Sequence, residues 1–273
     1  MILSRCRKAV DTLAPPLGRQ YRLLRDATNR RRSIPTKYGF TLAGDPSMTN
    51  PDWETNEVQA FLELLQNHDA VLDIGANVGF YSCLAASRGI HTVAFEPSSR
   101  NLGFLYRNLW ENRFLDVEVF PLGLAAKSGL GQIYGFGGIA SLVPGWAQAS
   151  RAQSSLVPLT TLDSITGMRF RSKKLLIKTD VEGFELEVLA GATKTLAMIP
   201  KPTWMIEILL GGEVVPDGIN QKFAATFEMF WNHGYRSKML NAQRTTVEPA
   251  DVANWVARGS VEGGTHDFLF SAD

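Results

Sequence analysis

Hydrophobic and polar residues alternate along the chain in short blocks, and the clearest block is residues 71–81. An apolar run ends there at Ile74, after a polar stretch, and is followed by Gly75 and Gly79. Such a run is typical of a strand that is covered on both faces. Glycine allows the backbone to turn sharply and lets a ligand approach the main chain. The block therefore predicts a buried strand, a glycine turn and the start of a helix, whose free N–H groups favour anionic ligand groups.

The same alternation continues to the end of the chain. Short apolar runs predict strands, and apolar residues that recur every three or four positions predict helices. The predicted strands are residues 71–74, 91–95, 117–122, 175–178, 204–209, 235–240 and 267–271. The predicted helices are residues 54–65, 81–88, 99–112, 184–198 (with a break near Gly191), 219–232 and 251–257. Strands that alternate with helices indicate one α/β domain with a mostly parallel sheet and helices on both faces.

Two further segments are predicted to form smaller strand pairs. Residues 37–42 fit a strand pair or an edge strand. Residues 123–145 are rich in glycine, and their spacing is too regular for a linker. We interpret them as a strand pair with an active-site loop.

The charge is distributed unevenly along the chain. Ten of the 28 basic residues but only two of the 27 acidic residues lie within residues 1–37, so this segment carries +8 and the remainder −7. We therefore divide the chain into a basic N-terminal extension (residues 1–36) and one α/β domain (residues 37–273). Apolar residues recur at helical spacing in the extension, which fits an interfacial helix near anionic lipid. The simpler interpretation, which we favour, is a solvated arm that packs on the domain or on a partner subunit.

Composition narrows the cellular context. Cys6 and Cys83 provide neither a disulfide framework nor the spacing of a metal site, which suits a reducing compartment. No apolar run reaches the roughly 18 residues of a membrane span. Basic residues interrupt the N-terminus too early for the apolar core of a signal peptide. We expect a cytoplasmic protein whose only membrane contact would be peripheral, through the basic arm. Nucleic acid is not the expected partner, and the sequence does not indicate an oligomeric state.

An acid at the end of the second predicted strand gives the glycine turn a chemical meaning. Glu96 follows strand 91–95, about 20 residues after the turn, where nucleotide-binding folds hold ribose hydroxyls. Dinucleotide dehydrogenases carry G-x-G-x-x-G after the first strand, whereas this chain has Gly75 and Gly79 without a G-x-G. Asp73 ends the first strand and suits a cationic amine better than a pyrophosphate. The pattern therefore favours S-adenosylmethionine, and a nicotinamide-dependent oxidoreductase is the alternative.

A second group of acids follows the fourth predicted strand. Asp180 and Glu182 come directly after residues 175–178, and ligands of open α/β sheets lie beyond the carboxyl ends of the strands. We therefore expect both acids above the cleft that the glycine turn forms. Acids here also favour the positive end of a helix dipole, which is the simpler explanation for Glu185 and Glu187. Two oxygens alone are weak evidence for a metal, and we assign none.

Four stretches resemble the FkbM family of S-adenosylmethionine-dependent methyltransferases. They are residues 71–81 (VLDIGANVGFY), 94–97 (AFEP), 161–164 (TLDS) and 177–192 (IKTDVEGFELEVLAGA). The D-x-E-G-x-E block is the most specific of them. The resemblance spans residues 37–271 and implies a Rossmann-like class I methyltransferase fold. Its sheet has seven strands, with a reversed last strand that residues 267–271 would supply.

The resemblance also implies the reaction. Relatives transfer a methyl group to oxygen, often to a hydroxyl of a sugar, a glycolipid or a secondary metabolite, so a small molecule or a glycan is the expected acceptor. Phe136 and Trp146 in the glycine-rich region fit a flat or sugar-like partner, although loop aromatics are as often simple packing. Relatives often place a histidine shortly after the glutamate that matches Glu207, and this chain has none. A histidine base at that position is therefore not expected.

These observations assign roles to individual residues. Methyl transfer is an in-line displacement that needs alignment, and a hydroxyl acceptor also benefits from a base. The candidates for orienting or deprotonating the acceptor are Asp180, Glu182 and Glu207. The candidates for the cofactor are Glu54, Asp73, Gly75, Ala76, Asn77, Gly79, Phe80, Glu96 and Pro97. Within this set the glycine turn is assigned to the methionine end, Glu96 to the ribose hydroxyls, and Glu54 is also a weaker candidate for the acceptor. A non-catalytic module that recruits nucleic acid or lipid through the arm is the third function class.

Overall fold

The computed structural model describes residues 32–272, which contain alternating strands and helices. The strands are, in chain order, β1 (Ile34–Pro35), β2 (Thr41–Leu42), β3 (Ala70–Ile74), β4 (His91–Phe95), β5 (Glu118–Phe120), β6 (Gly123–Leu124), β7 (Gly129–Tyr134), β8 (Ser154–Thr160), β9 (Leu175–Thr179), β10 (Thr203–Glu207), β11 (Arg236–Met239), β12 (Thr246–Val247) and β13 (Asp267–Ser271). The α-helices are α1 (Thr55–Leu65), α2 (Phe80–Ala86), α3 (Ser99–Glu111), α4 (Leu162–Thr166), α5 (Glu185–Ala190), α6 (Thr193–Leu196), α7 (Phe223–Asn232) and α8 (Pro249–Arg258).

The predicted α/β sheet is confirmed. Its strand order is β12-β11-β13-β10-β9-β3-β4-β5, with parallel pairing from β10 through β5. Strand β13 pairs antiparallel with both β10 and β11, so it is the reversed last strand. Seven strands of this sheet match the number that the resemblance implied. The two-residue strand β12 adds an eighth at the edge, antiparallel to β11.

The two smaller strand pairs differ in detail from the prediction. Strands β1 and β2 pair antiparallel, but β1 lies wholly before the predicted residues 37–42, within the segment predicted as the extension. Strand β7 lies in the glycine-rich region, but its partner is β8, which lies beyond that region. Strand β6 joins the other side of β8, so the region contributes to a three-stranded sheet. Helix α7 begins at Phe223, later than predicted, because the Asn220 side chain binds the Leu209 carbonyl and the N–H of Lys222.

Apolar residues fill both faces of the main sheet. On one face the rings of α7 pack on β13, and Phe230 stacks on Phe270 with 3.9 Å between ring centroids. On the other face α1, α2 and α3 form a second core, which includes Phe61 and Leu105. Helices therefore cover both faces, as the alternation of elements predicted.

Asn108 of α3 fixes the loops above the second core. Its Nδ2 atom donates to the carbonyl oxygens of Ala43 and Val78, and its Oδ1 atom accepts from the Ala43 N–H. All three distances lie between 2.7 and 2.9 Å. A buried amide with its partners satisfied rigidifies its surroundings. This asparagine therefore anchors the glycine turn, through Val78, to the rest of the domain.

These elements do not test the predicted domain boundary after residue 36 or the predicted structure of the basic arm. Most of the extension at residues 1–36 lies outside the described residues, so its helical and lipid-binding predictions stay predictions. Across residues 32–272, no helix is both long and apolar enough to cross a membrane.

Candidate functional site

A cleft of about 580 Å³, including its open mouth, lies at the carboxyl ends of β3, β4 and β9. Its walls are the glycine turn after β3, the acidic segment after β4 and the D-x-E-G block after β9. Residues 122–124 and 137–142 cover the remaining side.

The glycine turn is closely packed. Gly75 has φ +82°, and a Cβ atom there would lie 1.9 Å from the carbonyl oxygen of Asp180. Gly79 has φ +90°, and a Cβ atom there would lie 2.4 Å from Cδ1 of Leu105. No other residue fits either position without a shift of the backbone or its neighbours. The turn thus fixes β3 against the D-x-E-G block and against α3.

Glu96 is held inside the cleft wall by backbone donors. Its Oε2 atom accepts from the N–H of Asn77 at 2.8 Å, and its Oε1 atom accepts from the N–H of Ser98 at 2.7 Å. The residue is 4% exposed. Burial raises the pKa of Glu96 to about 7, although these two hydrogen bonds act in the opposite direction. These two bonds and one from the Asn101 side chain occupy three of the roughly four lone-pair sites of the carboxylate, so about one remains for a ligand hydroxyl.

Two asparagines line the cleft beside Glu96. Asn77 has φ +53°, a left-handed conformation that asparagine adopts more readily than most residues. Its Oδ1 atom is buried and accepts no hydrogen bond from residues 32–272. Asn101 of α3 is buried, hydrogen-bonds Glu96 and donates to the carbonyl of Gly137 at 3.3 Å. Asn101 was not recognisable from the sequence, because nothing in the helix pattern distinguishes it from other polar positions.

Asp73 lies behind the turn and does not line the cleft. Its Oδ2 atom accepts from the Ser82 hydroxyl of α2 at 2.5 Å. Burial raises the pKa of Asp73 to about 6. The carboxylate is therefore occupied within the fold, and a direct contact with the cofactor amine stays a prediction.

The D-x-E-G block forms the opposite wall. The Asp180 N–H donates to the Ile74 carbonyl at 3.0 Å, which continues the pairing of β3 with β9. Glu182 has φ +55°, and its Oε2 atom accepts from Nε1 of Trp146 at 2.6 Å. Burial and the neighbouring Asp180 charge raise the pKa of Glu182 to about 8.

Trp146 is packing rather than an exposed platform. The ring is buried on Gly183, where a Cβ atom would lie 2.2 Å from its Cζ3 atom. The Trp146 ring therefore packs on the D-x-E-G block, and its N–H donates to the glutamate of that block. Of the two alternatives for this aromatic residue, the structure favours packing.

Glu54 and Glu207 lie outside the cleft lining. Burial raises the pKa of both, that of Glu207 well above its ordinary value, with further contributions from Asp180 and Asp267. Glu54 accepts from the Tyr81 hydroxyl at 2.6 Å.

The structure brings some predicted residues together and separates others. The predicted residues that line the cleft are Gly75, Asn77, Glu96, Pro97, Asp180 and Glu182. Ala76, Gly79 and Phe80 lie behind it, and Phe80 packs among Tyr38, Phe40 and Trp53. Among residues 32–272, no three His, Cys, Asp or Glu side chains converge to hold a metal ion.

Several known proteins match part of this chain. The hexuronic acid methyltransferase AglP of Haloferax volcanii is 27% identical over 146 residues, which cover 54% of this chain and 59% of that protein. The crystal structure of methyltransferase FkbM from Methylobacillus flagellatus KT matches with a TM-score of 0.43 and 16% identity, over 74% of this chain and 43% of that one. A ribosomal protein L11 methylase from Lactobacillus delbrueckii subsp. bulgaricus matches with a TM-score of 0.43 and 9% identity, over 83% and 78%.

The match to a family model covers more of the chain than the match to AglP does. The model of the methyltransferase FkbM domain matches residues 73–237, from the end of β3 into β11. This range is more than half of the chain and includes the D-x-E-G block and the Glu96 segment. The resemblance predicted from the motifs is therefore confirmed, and the chain belongs to the FkbM methyltransferase family.

Proposed function

We propose that this protein transfers a methyl group from S-adenosylmethionine to a hydroxyl of a sugar or a sugar-like small molecule. The observation that carries the proposal is the cleft between Glu96 and the D-x-E-G block. It places a fixed carboxylate and an unpaired amide oxygen opposite two further acids. Membership of a methyltransferase family gives the cleft its reaction class.

The residues of the cleft fit the cofactor. Glu96 can accept from a ribose hydroxyl, because backbone N–H groups fix both of its oxygens and about one lone-pair site of the carboxylate stays open. The buried Oδ1 atom of Asn77 needs a donor, which a hydroxyl or an ammonium group can supply. The cofactor, when bound, supplies a methyl group on a positively charged sulfur. The turn at Gly75 would hold its methionine end, and Asp73 would support that turn from behind.

Acids at the other wall suit a hydroxyl acceptor. The acceptor must lose a proton as the new carbon–oxygen bond forms, and a nearby carboxylate can take it. Asp180 and Glu182 are the candidates, because both line the cleft. We assign the proton to Asp180, because Glu182 already accepts a hydrogen bond from Trp146 and burial raises the pKa of Glu182 to about 8.

The relative AglP bears on the class of acceptor. The name of the relative AglP states a hexuronic acid as its substrate, but the aligned region spans only 59% of that protein. We therefore extend to this chain the sugar character of the acceptor and not the hexuronic acid itself. Contact of residues 1–36 with a membrane surface is a separate prediction, and it would suit an acceptor carried on a lipid.

A transfer assay tests the proposal. The full-length protein is incubated with methyl-labelled S-adenosylmethionine and with neutral sugars, amino sugars, hexuronic acids or a glycolipid extract. We expect label in at least one sugar-containing acceptor, and loss of that label in Glu96→Ala. No transfer to any of these acceptors, together with reduction of NAD⁺ in the presence of sugar alcohols, would instead support the oxidoreductase alternative.

A further inference from the structure

Strand register places a lysine among acids on one face of the sheet. Lys178 of β9 lies opposite Asp73 of β3 on one side and Met205 of β10 on the other. Two residues further along β10, Glu207 lies directly opposite Asp267 of β13. Because side chains alternate along a strand, positions two apart share a face. Lys178, Asp180, Glu207 and Asp267 therefore share one face.

Helices α1 and α2 complete the surroundings of this lysine. The Lys178 side chain is 2% exposed, and its Nζ atom lies 3.6 Å from Oδ2 of Asp180. Nζ also lies 5.2 Å from the centre of the Tyr81 ring, and the Tyr81 hydroxyl donates to Glu54. The groups that face Lys178 or its acids from these elements are Glu54, Glu57, Asp73, Tyr81, Asp180, Glu182, Glu207 and Asp267.

The acids of this cluster repel one another, and Lys178 offsets part of that repulsion. Two acids directly opposite each other on neighbouring strands, such as Glu207 and Asp267, are destabilising when both are ionised. Burial raises the pKa of Asp267 to about 7, and Lys178 acts against that rise. Burial also disfavours the charged form of Lys178, yet the carboxylates around it raise its pKa above the ordinary value. Lys178 is therefore a buried cation that remains charged at neutral pH.

We propose that Lys178 is a positioning residue of the acceptor side: its buried ammonium group gathers the acids of β9, β10, β13 and α1 and keeps Asp180 available to accept the acceptor's proton. The inference rests on the proposed methyl transfer, because only that reaction gives the proton a role. Lys178 does not line the cleft, so it acts through Asp180 and not through contact with substrate.

A purely structural lysine is the competing explanation. In that case loss of the side chain lowers stability and activity, but the titration of the surviving acids does not change. If Lys178 controls the charge of the cluster, its removal shifts that titration upward. An opposite charge within about 4–6 Å lowers a carboxyl pKa by about 1–3 units, so a shift of this order is expected.

The test is a pH titration that needs neither acceptor nor cofactor. Carboxyl carbons of aspartate and glutamate are labelled with ¹³C in the full-length protein, and the signals of Asp267 and Glu54 are assigned from Asp267→Asn and Glu54→Gln. In Lys178→Met we expect both midpoints to rise by about 1–3 pH units. In Lys178→Arg, which keeps the charge, we expect midpoints close to wild type. Lys222→Met is the matched control, because Lys222 pairs with Glu187 outside the cluster.

A second variant keeps the test decisive if Lys178→Met does not fold. Lys178→Gln removes the charge but keeps a polar side chain, so the Asp267 and Glu54 midpoints should rise in this variant as well. Unchanged midpoints in whichever of the two variants folds would overturn the proposal.

Activity gives an independent readout. With an acceptor found in the transfer assay, the acidic limb of the kcat/KM profile should move to higher pH in Lys178→Met and return in Lys178→Arg. A lower rate with an unmoved limb would contradict the proposal while leaving methyl transfer intact. If methyl transfer is found with no acceptor, the proposed function is rejected. The ¹³C titration then still tests the effect of Lys178 on the acids around it.

Discussion

The backbone N–H of Asn77 donates to Oε2 of Glu96 at 2.8 Å. This bond joins the turn after β3 to the acid after β4. The two strands are parallel neighbours, and they pair from Ala70 with His91 to Ile74 with Phe95. The carboxylate is thereby fixed before any ligand arrives. Preorganised polar groups lose little freedom on binding, which favours affinity.

Replacing Glu96 tests this relationship. Glu96→Ala removes the acceptor for ribose hydroxyls and leaves the Asn77 and Ser98 N–H groups without their partner. Hydrogen bonds to charged groups contribute about 1.5–3 kcal/mol, so the affinity for S-adenosylhomocysteine should fall about 10- to 150-fold. Calorimetric titration measures this directly. Glu63→Gln on the exposed side of α1 is the control, and equal affinities in wild type and Glu96→Ala would reject the role of Glu96.

Gly183 is predicted to be intolerant of any side chain. Gly183→Ala places a Cβ atom 2.2 Å from the Trp146 ring at φ +89°. Gly39 has nearly the same φ, +93°, but open space around it, so Gly39→Ala isolates the backbone strain. Overpacking costs about 1–3 kcal/mol. In urea denaturation we expect Gly183→Ala to lose that much more free energy of unfolding than Gly39→Ala, whereas equal losses would show that the ring moves away freely.

The Ser82 hydroxyl is predicted to support the turn through Asp73. Ser82→Ala leaves the buried carboxylate without its 2.5 Å donor, which costs about 1–3 kcal/mol. Because this hydrogen bond lowers the pKa of Asp73, its loss raises that pKa further above about 6. The destabilisation should be larger at pH 8 than at pH 5, where Asp73 is protonated. Ser87→Ala is the matched control, because its hydroxyl donates to the Leu84 carbonyl; a pH-independent effect in Ser82→Ala would contradict the prediction.

Buried carboxyls predict that the protein alone is less stable at higher pH. Burial raises the folded-state pKa of Glu96, Glu185 and Asp267 to about 7. The folded state therefore binds more protons than the unfolded state between about pH 4.5 and pH 7. Stability from these groups is fully present below the unfolded pKa and is lost as the pH rises through the folded pKa. The free energy of unfolding should fall from pH 5 to pH 8, and a rise would contradict this.

Glu185→Gln isolates one of these groups. Glutamine keeps an oxygen that can accept from the Gly183 N–H, which Glu185 binds at 2.8 Å. It removes one titrating carboxyl, so the loss of stability between pH 5 and pH 8 should be smaller by on the order of 1–3 kcal/mol. Parallel urea titrations at the two pH values measure the difference. The same pH slope in both proteins would mean that Glu185 does not titrate as burial predicts.

Elements with strong local patterns were predictable from the sequence. Strands β4 and β13 have the predicted bounds, because short apolar runs ended there beside polar or turn residues. Gly75 and Glu96 were recognisable by residue type and spacing alone. Strand β12 was not, because two residues are too few to form a pattern.

Contacts between distant segments were not predictable in the same way. Trp146 donates to Glu182 and Asn101 donates to Gly137, each pair being 36 residues apart. Only the folded chain brings such pairs together. Lys178 was recognisable locally as a charged residue within the apolar strand 175–179. The buried acids around it explain why a lysine is tolerated there.

Calorimetric titration with two ligands decides whether the cleft binds a methyl donor or a dinucleotide. S-adenosylhomocysteine and NAD⁺ are each titrated calorimetrically into the full-length protein at pH 7.5. We predict saturable one-site binding of S-adenosylhomocysteine, which competes with S-adenosylmethionine, and no heat from NAD⁺. Saturable binding of NAD⁺ without binding of S-adenosylhomocysteine would contradict the assignment of the cleft.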